Sequence, residues 1–246
     1  MITRRILLAA SLAGLASSAP VAFAGVDNPL RNRRDRRVEV PDVAHFHRQD
    51  GRRGFILDRT RDIWLLKPLD EDEVLALRPQ RAPGGGTSFV TDWGDEIIRV
   101  SSIGAVTYYP DEQPNGVIAE VWEPARELSV PDASVDDLRE GTRQAALTLA
   151  ERFGRPIQVE YGAAPREGLG VMIEALGLAV TGMGRALDDG AVLDDIERLK
   201  IAPGESAGLE IADDLFIVRV DPLAGHAGRP SSTRIARYLV ASSTPA

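Results

Sequence analysis

The pentapeptide Gly204-Glu-Ser206-Ala-Gly208 has the spacing of a nucleophile elbow. In such an elbow a sharp strand-to-helix turn lifts a serine hydroxyl beside a backbone oxyanion hole. The acid and histidine of that triad follow the serine in chain order, and His226 is the only histidine left after Ser206. A serine hydrolase using Ser206 and His226 is therefore one reading. Its surroundings argue against it: Pro203 enters the motif directly, Leu209 to Asp214 is too short for the supporting helix, and a strand pattern starts by Leu215. Chains rich in glycine and alanine produce such pentapeptides by chance.

His45-Phe46-His47 puts two imidazoles on one side of an extended segment, a spacing that metal sites use because alternate residues share a face. Metal binding through His45 and His47 is a second alternative; His226 would give a third ligand, but nothing brings it near them in sequence. The many acidic pairs, such as Asp136-Asp137 and Asp213-Asp214, fall at turns and helix starts and read as caps and solvated loops. No calcium loop, phosphate loop or dinucleotide fingerprint is spelled out, and no cofactor is expected. With no cysteine, thiol catalysis, disulfides and cysteine-ligated metals are excluded. Trp93, in a Thr-Asp-Trp-Gly-Asp turn, is a large aromatic at a loop tip, either folded back on the core or open to a ligand.

The elements that would position these residues begin after an export signal. Arg4-Arg5, an apolar run from Ile6 to about Ala16 and a small-residue stretch ending Ala22-Phe-Ala24 form the three parts of a signal peptide, with cleavage expected near Ala24. The string Thr3-Arg4-Arg5-Ile6-Leu7-Leu8 leaves the general secretory and twin-arginine routes both open. A periplasmic or secreted location follows. Losing residues 1–24 removes two arginines and no acid, taking the net charge from −8 to −10. An acidic chain is a poor general nucleic-acid binder.

Residues 25–53 read as a basic, flexible arm: apolar residues are few and show no period, and Arg31, Arg33, Arg34, Arg36 and Arg37 cluster within it. Such a cluster can meet an anionic envelope surface or an acidic partner.

Residues 54–246 read as one α+β domain, β-rich over 54–123 and α/β over 134–246. Short segments at Phe55–Leu57, Ile63–Leu66, Glu73–Leu77, Ser88–Thr91, Glu96–Val100, Val106–Tyr109 and Val117–Trp122 are too closely spaced for helical crossovers, so they predict an antiparallel β-meander. Ser134-Val-Asp-Asp137 predicts a capped helix that Gly154 and Pro156 stop. A strand at Ile157–Tyr161 follows, then an apolar segment over Pro165–Leu187. Glu174 near its middle makes it a buried helix rather than a membrane span, with a break near Gly182 and Gly184. A short helix is predicted up to Arg198. Leu215–Val220 and Ile235–Val240 close the chain as a β-hairpin, although the second segment fits a helix equally.

The order Phe55-Ile-Leu-Asp58, Val74-Leu-Ala-Leu-Arg-Pro79, a glycine-rich turn, then Ile98-Arg-Val-Ser-Ser-Ile-Gly104-Ala-Val-Thr-Tyr108 resembles a family of uncharacterised exported alphaproteobacterial proteins. That resemblance implies no site residue. The expected fold is an antiparallel β-meander followed by two helices with an intervening strand and a C-terminal β-hairpin. The expected function is that of a non-catalytic binding or envelope-associated protein, with the arginine cluster and Trp93 as candidate contacts.

Overall fold

Apolar and polar side chains alternate along eight short strands, and burying one face of each closes the first half of the chain into a barrel. The strands are β1 (Val43–Arg48), β2 (Phe55–Asp58), β3 (Trp64–Pro68), β4 (Leu75–Arg81), β5 (Thr87–Val90), β6 (Glu96–Val100), β7 (Val106–Tyr108) and β8 (Val117–Pro124). Each pairs antiparallel with its successor, and β1 pairs with β8 to shut the ring. The meander is thus as the spacing predicts. The computed structural model describes residues 41–243; the segment expected to be a signal peptide and Arg31, Arg33, Arg34, Arg36 and Arg37 lie outside them. All described residues belong to one compact unit.

Closure depends on β1, which occupies part of the segment whose polarity reads as arm. Ala44, Phe46 and Arg48 are buried at alternate positions, which is a strand pattern too short to stand out among charged neighbours. Inside the ring, Phe46 stacks on Phe55 at 5.2 Å and Trp64 on Phe89 at 3.7 Å between centroids. Leu57, Leu66, Leu77, Ile98 and Tyr108 fill the space around them. An eight-stranded barrel has room for such side chains or for one small ligand.

The second half builds an α/β layer with its own core. Helix α1 (Val135–Phe153) starts at a capping box, Ser134 Oγ accepting from the Asp137 amide and the Asp137 carboxylate accepting from Ser134, and ends at Gly154 in the left-handed conformation (φ 65°). Strand β9 (Gln158–Tyr161) and helix α2 (Leu169–Asp188) follow. With its leading turn, α2 is long and apolar enough to cross a bilayer, but most of it is buried in the core. It runs unbroken. Gly182, where a break is expected, instead lets α3 (Ser232–Ser243) approach: a Cβ there would meet the Ile235 Cβ at 2.6 Å.

Strands β10 (Arg198–Pro203), β11 (Gly208–Ala212) and β12 (Leu215–Val220) complete a sheet ordered β11-β12-β10-β9, with β10 parallel to both neighbours. The helix expected up to Arg198 is a turn leading into β10. The C-terminal hairpin is β11–β12, because Ile235, Ala236 and Leu239 bury at helical spacing and make that segment α3.

Candidate ligand site at the barrel mouth

The two ends of the barrel differ in chemistry. At the inner end, which meets the α/β layer, Arg48 points inward and is almost fully buried. Its guanidinium donates to Asp50 at 2.6 and 3.1 Å and to Glu112 at 2.7 Å, and lies 5.6 Å from the centre of the Tyr108 ring. Burial, more than any nearby charge, pushes the Tyr108 phenol up and keeps it neutral. Arg48 is therefore a stopper rather than part of a basic arm.

The outer end carries the β2–β3, β4–β5 and β6–β7 turns and is open. Inward-facing Phe46, Leu57, Trp64, Val100, Val106, Ala119 and Val121 wall a cavity of about 400 Å³, with Gly104 and Ala105 of the β6–β7 turn at its rim. This size and apolar lining match ordinary small-ligand pockets. The Arg59 guanidinium lies 5.5 Å from the centre of the Trp64 ring, and Nη2 donates to the Pro41 carbonyl at 2.9 Å, which ties the start of β1 to the rim. The walls hold no serine, histidine or pair of carboxylates. Arg59 and Glu120 are the charged residues of the lining; the remainder can desolvate an apolar ligand, at about 25 cal/mol per Å² of apolar surface buried.

Where the barrel meets the α/β layer, polar groups are paired with one another. Glu174 Oε2 of α2 lies 2.9 Å from His226 Nδ1 and accepts from Arg229 Nε at 2.7 Å. Arg229 Nη2 reaches across to the Val74 carbonyl of the barrel at 3.2 Å. Burial pushes the Glu174 carboxyl up, but the His226 hydrogen bond and the Arg229 charge outweigh it and hold the group below its usual range. Asp92 and Glu73, on barrel loops, accept from the amides of Ser231 and Ser232 at the N-terminus of α3 at 2.9 and 3.0 Å, where the helix dipole favours anions. A cleft beside this junction gathers Asp70, Glu71, Glu73 and Asp111. Loss of hydration, then the neighbouring acids, push the Glu71 carboxyl up against the pull of Arg185, although its side chain still reaches solvent.

The profile of one protein family, described as Domain of unknown function (DUF4908), matches residues 26–239. The chain belongs to that family. No curated protein and no solved structure matches it. The family description carries no activity, so each candidate residue of this DUF4908 member is judged on its own surroundings.

Ser206 sits in an exposed bend between β10 and β11, two strands of one sheet, where an elbow needs a strand and a helix. His226, only 5% exposed, lies in the turn before α3 and directs Nδ1 to Glu174; among the described residues no hydrogen bond joins it to Ser206. His45 and His47 do share the outer face of β1, as their spacing implies, with His47 beside Glu120 and the Trp122 ring. Among the described residues no group of three or more His, Cys, Asp or Glu is arranged to hold a metal ion. Trp93 is folded back onto the junction: its indole N–H donates to Asp95, and Arg237 of α3 lies 5.9 Å from the ring centre.

The cavity walls were visible in the sequence only as strand residues. Glu174 and His226 each carried a faint signal, a lone acid in an apolar helix and a lone histidine near the end of the chain. Nothing in the sequence linked the two.

Proposed function

We propose that this chain is an exported, envelope-associated binding protein without catalytic activity, and that it holds a small apolar ligand in the outer mouth of its barrel. The observation that carries this reading is the cavity of about 400 Å³ among Phe46, Leu57, Trp64, Val100, Val106 and Val121, open at one end and stopped by Arg48 at the other. The arginine cluster at residues 31–37 precedes the strand that enters this rim, and it is the part of the chain suited to an anionic envelope surface. The paired state of His226 and the exposed bend at Ser206 favour binding over hydrolysis.

The test is binding of N-phenyl-1-naphthylamine, whose emission rises in apolar surroundings, followed by displacement with dodecanoate. One saturable site is expected, with dodecanoate also changing Trp64 emission. Val121→Trp, at the mouth, and Ala119→Trp, deeper in the wall, should each weaken binding at least about tenfold by filling the cavity. Unchanged binding in a folded variant of either kind would exclude the mouth as the site.

A further inference from the structure

Two large apolar side chains stand in solvent at the rim of this mouth. Ile103 is at the tip of the β6–β7 turn, closed by the Gly104 amide donating to the Ser101 carbonyl at 2.9 Å, and is 90% exposed. Trp122 is 65% exposed on β8. It sits in a β-bulge: His45 pairs with Glu123 and Phe46 with Val121, so Trp122 has no partner on β1. Bulges at barrel rims re-aim a side chain, and this one turns an indole outward. Ile103 tops the turn that leads into β7, and β7 pairs with β8, the strand that carries Trp122. The two exposed side chains therefore share one side of the lip. Gly104 and Val121, the chain neighbours of Ile103 and Trp122, line the cavity, whose wall is mostly apolar.

We infer that this lip docks on an anionic lipid bilayer, with Ile103 and Trp122 entering the interface, and that the ligand in the mouth is a lipid acyl chain. The inference rests on the mouth being the ligand site. Tryptophan suits the headgroup region because its ring is apolar and its N–H is polar. Charge supplies the orientation. Residues 25–40 carry five arginines against three acids, whereas the rest of the mature chain is strongly acidic and is repelled by an anionic leaflet. These five arginines precede Pro41, whose carbonyl is bonded to Arg59 at this rim. An anionic surface therefore draws the protein in by the end that carries the open mouth. Contact there would let an acyl chain pass from bilayer to barrel without crossing water.

Two measurements on the full mature chain separate this inference from the reading beneath it. In solution, calorimetric affinity for saturated fatty acids from hexanoate to tetradecanoate should rise about fourfold per methylene until the cavity is full, then level off. No binding of any of them would sink the mouth as a ligand site. Co-sedimentation with phosphatidylglycerol vesicles then tests the lip. Ile103→Asp, at a fully solvated turn, and Trp122→Ala should each reduce partitioning at least about tenfold, while phosphatidylcholine vesicles bind the wild type more weakly. Membrane docking by the lip is overturned if both variants sediment like the wild type, or if the wild type does not sediment with phosphatidylglycerol.

Discussion

Asp92 accepts both donors of Ser231: the backbone N–H reaches Oδ2 at 2.9 Å and the hydroxyl reaches Oδ1 at 2.7 Å. One residue belongs to a barrel loop and the other caps α3, its Oγ also accepting from the Arg234 amide at 3.0 Å. This pair thus joins the two halves of the molecule through the N-terminus of a helix. Asp92→Ala removes both bonds and the favourable charge at the dipole, for a cost of about 1–3 kcal/mol. Thermal unfolding of the variant should show a lower midpoint. An unchanged midpoint would mean that the halves hold together without it.

Glu174 makes the same junction sensitive to acid. Its folded-state pKa is depressed, so the ionised form contributes stability above the unfolded carboxylate value of about 4.3. That contribution is lost as the pH falls through the lower folded value, when the bonds from His226 and Arg229 lose their anionic acceptor. Urea unfolding across the acidic range should therefore give a steeper fall for the wild type than for Glu174→Gln. Parallel curves would show that the fall has another origin.

Two glycines of α2 predict opposite outcomes for one substitution. Gly177 has open space where a Cβ would stand, so Gly177→Ala should stabilise by about 0.5–1 kcal/mol through helix propensity alone. At Gly182 the new Cβ would stand 2.6 Å from Ile235 and 2.7 Å from the Ser232 carbonyl oxygen, neither of which is a flexible tip. Gly182→Ala should therefore destabilise by about 1–3 kcal/mol despite the same gain in propensity. Paired thermal melts read both signs.

Arg48→Ala removes the inner stopper with its bonds to Asp50 and Glu112 and its contact with Tyr108. Both acids reach solvent and can rehydrate, which limits the cost to about 1–3 kcal/mol. Arg48→Lys should recover only part of it, because an ammonium cannot reproduce the fork that spans two carboxylates. Urea midpoints of the two variants provide the comparison.

The local elements were legible because their causes are local. Alternating residues such as Phe55, Leu57, Trp64 and Leu66 mark strands, short turns force antiparallel neighbours, and Ser134 with Asp137 caps a helix. Errors fell where one pattern fits two structures: Ile235 to Val240 satisfies a helix or a strand, and only its packing against Gly182 selects the helix. Ring closure, the Arg48 stopper, the bulge at Trp122 and the meeting of Glu174 with His226 were not legible, because each is a pairing between segments far apart in the chain. The sequence alone determined composition, charge segregation, the absence of thiol chemistry and the meander. Tertiary structure decided that the meander closes, that one end is stopped by Arg48 with Asp50 and Glu112, and that the other holds an apolar cavity. Side-chain alternation tells each strand which face to bury; only closure of the ring turns those faces into a cavity.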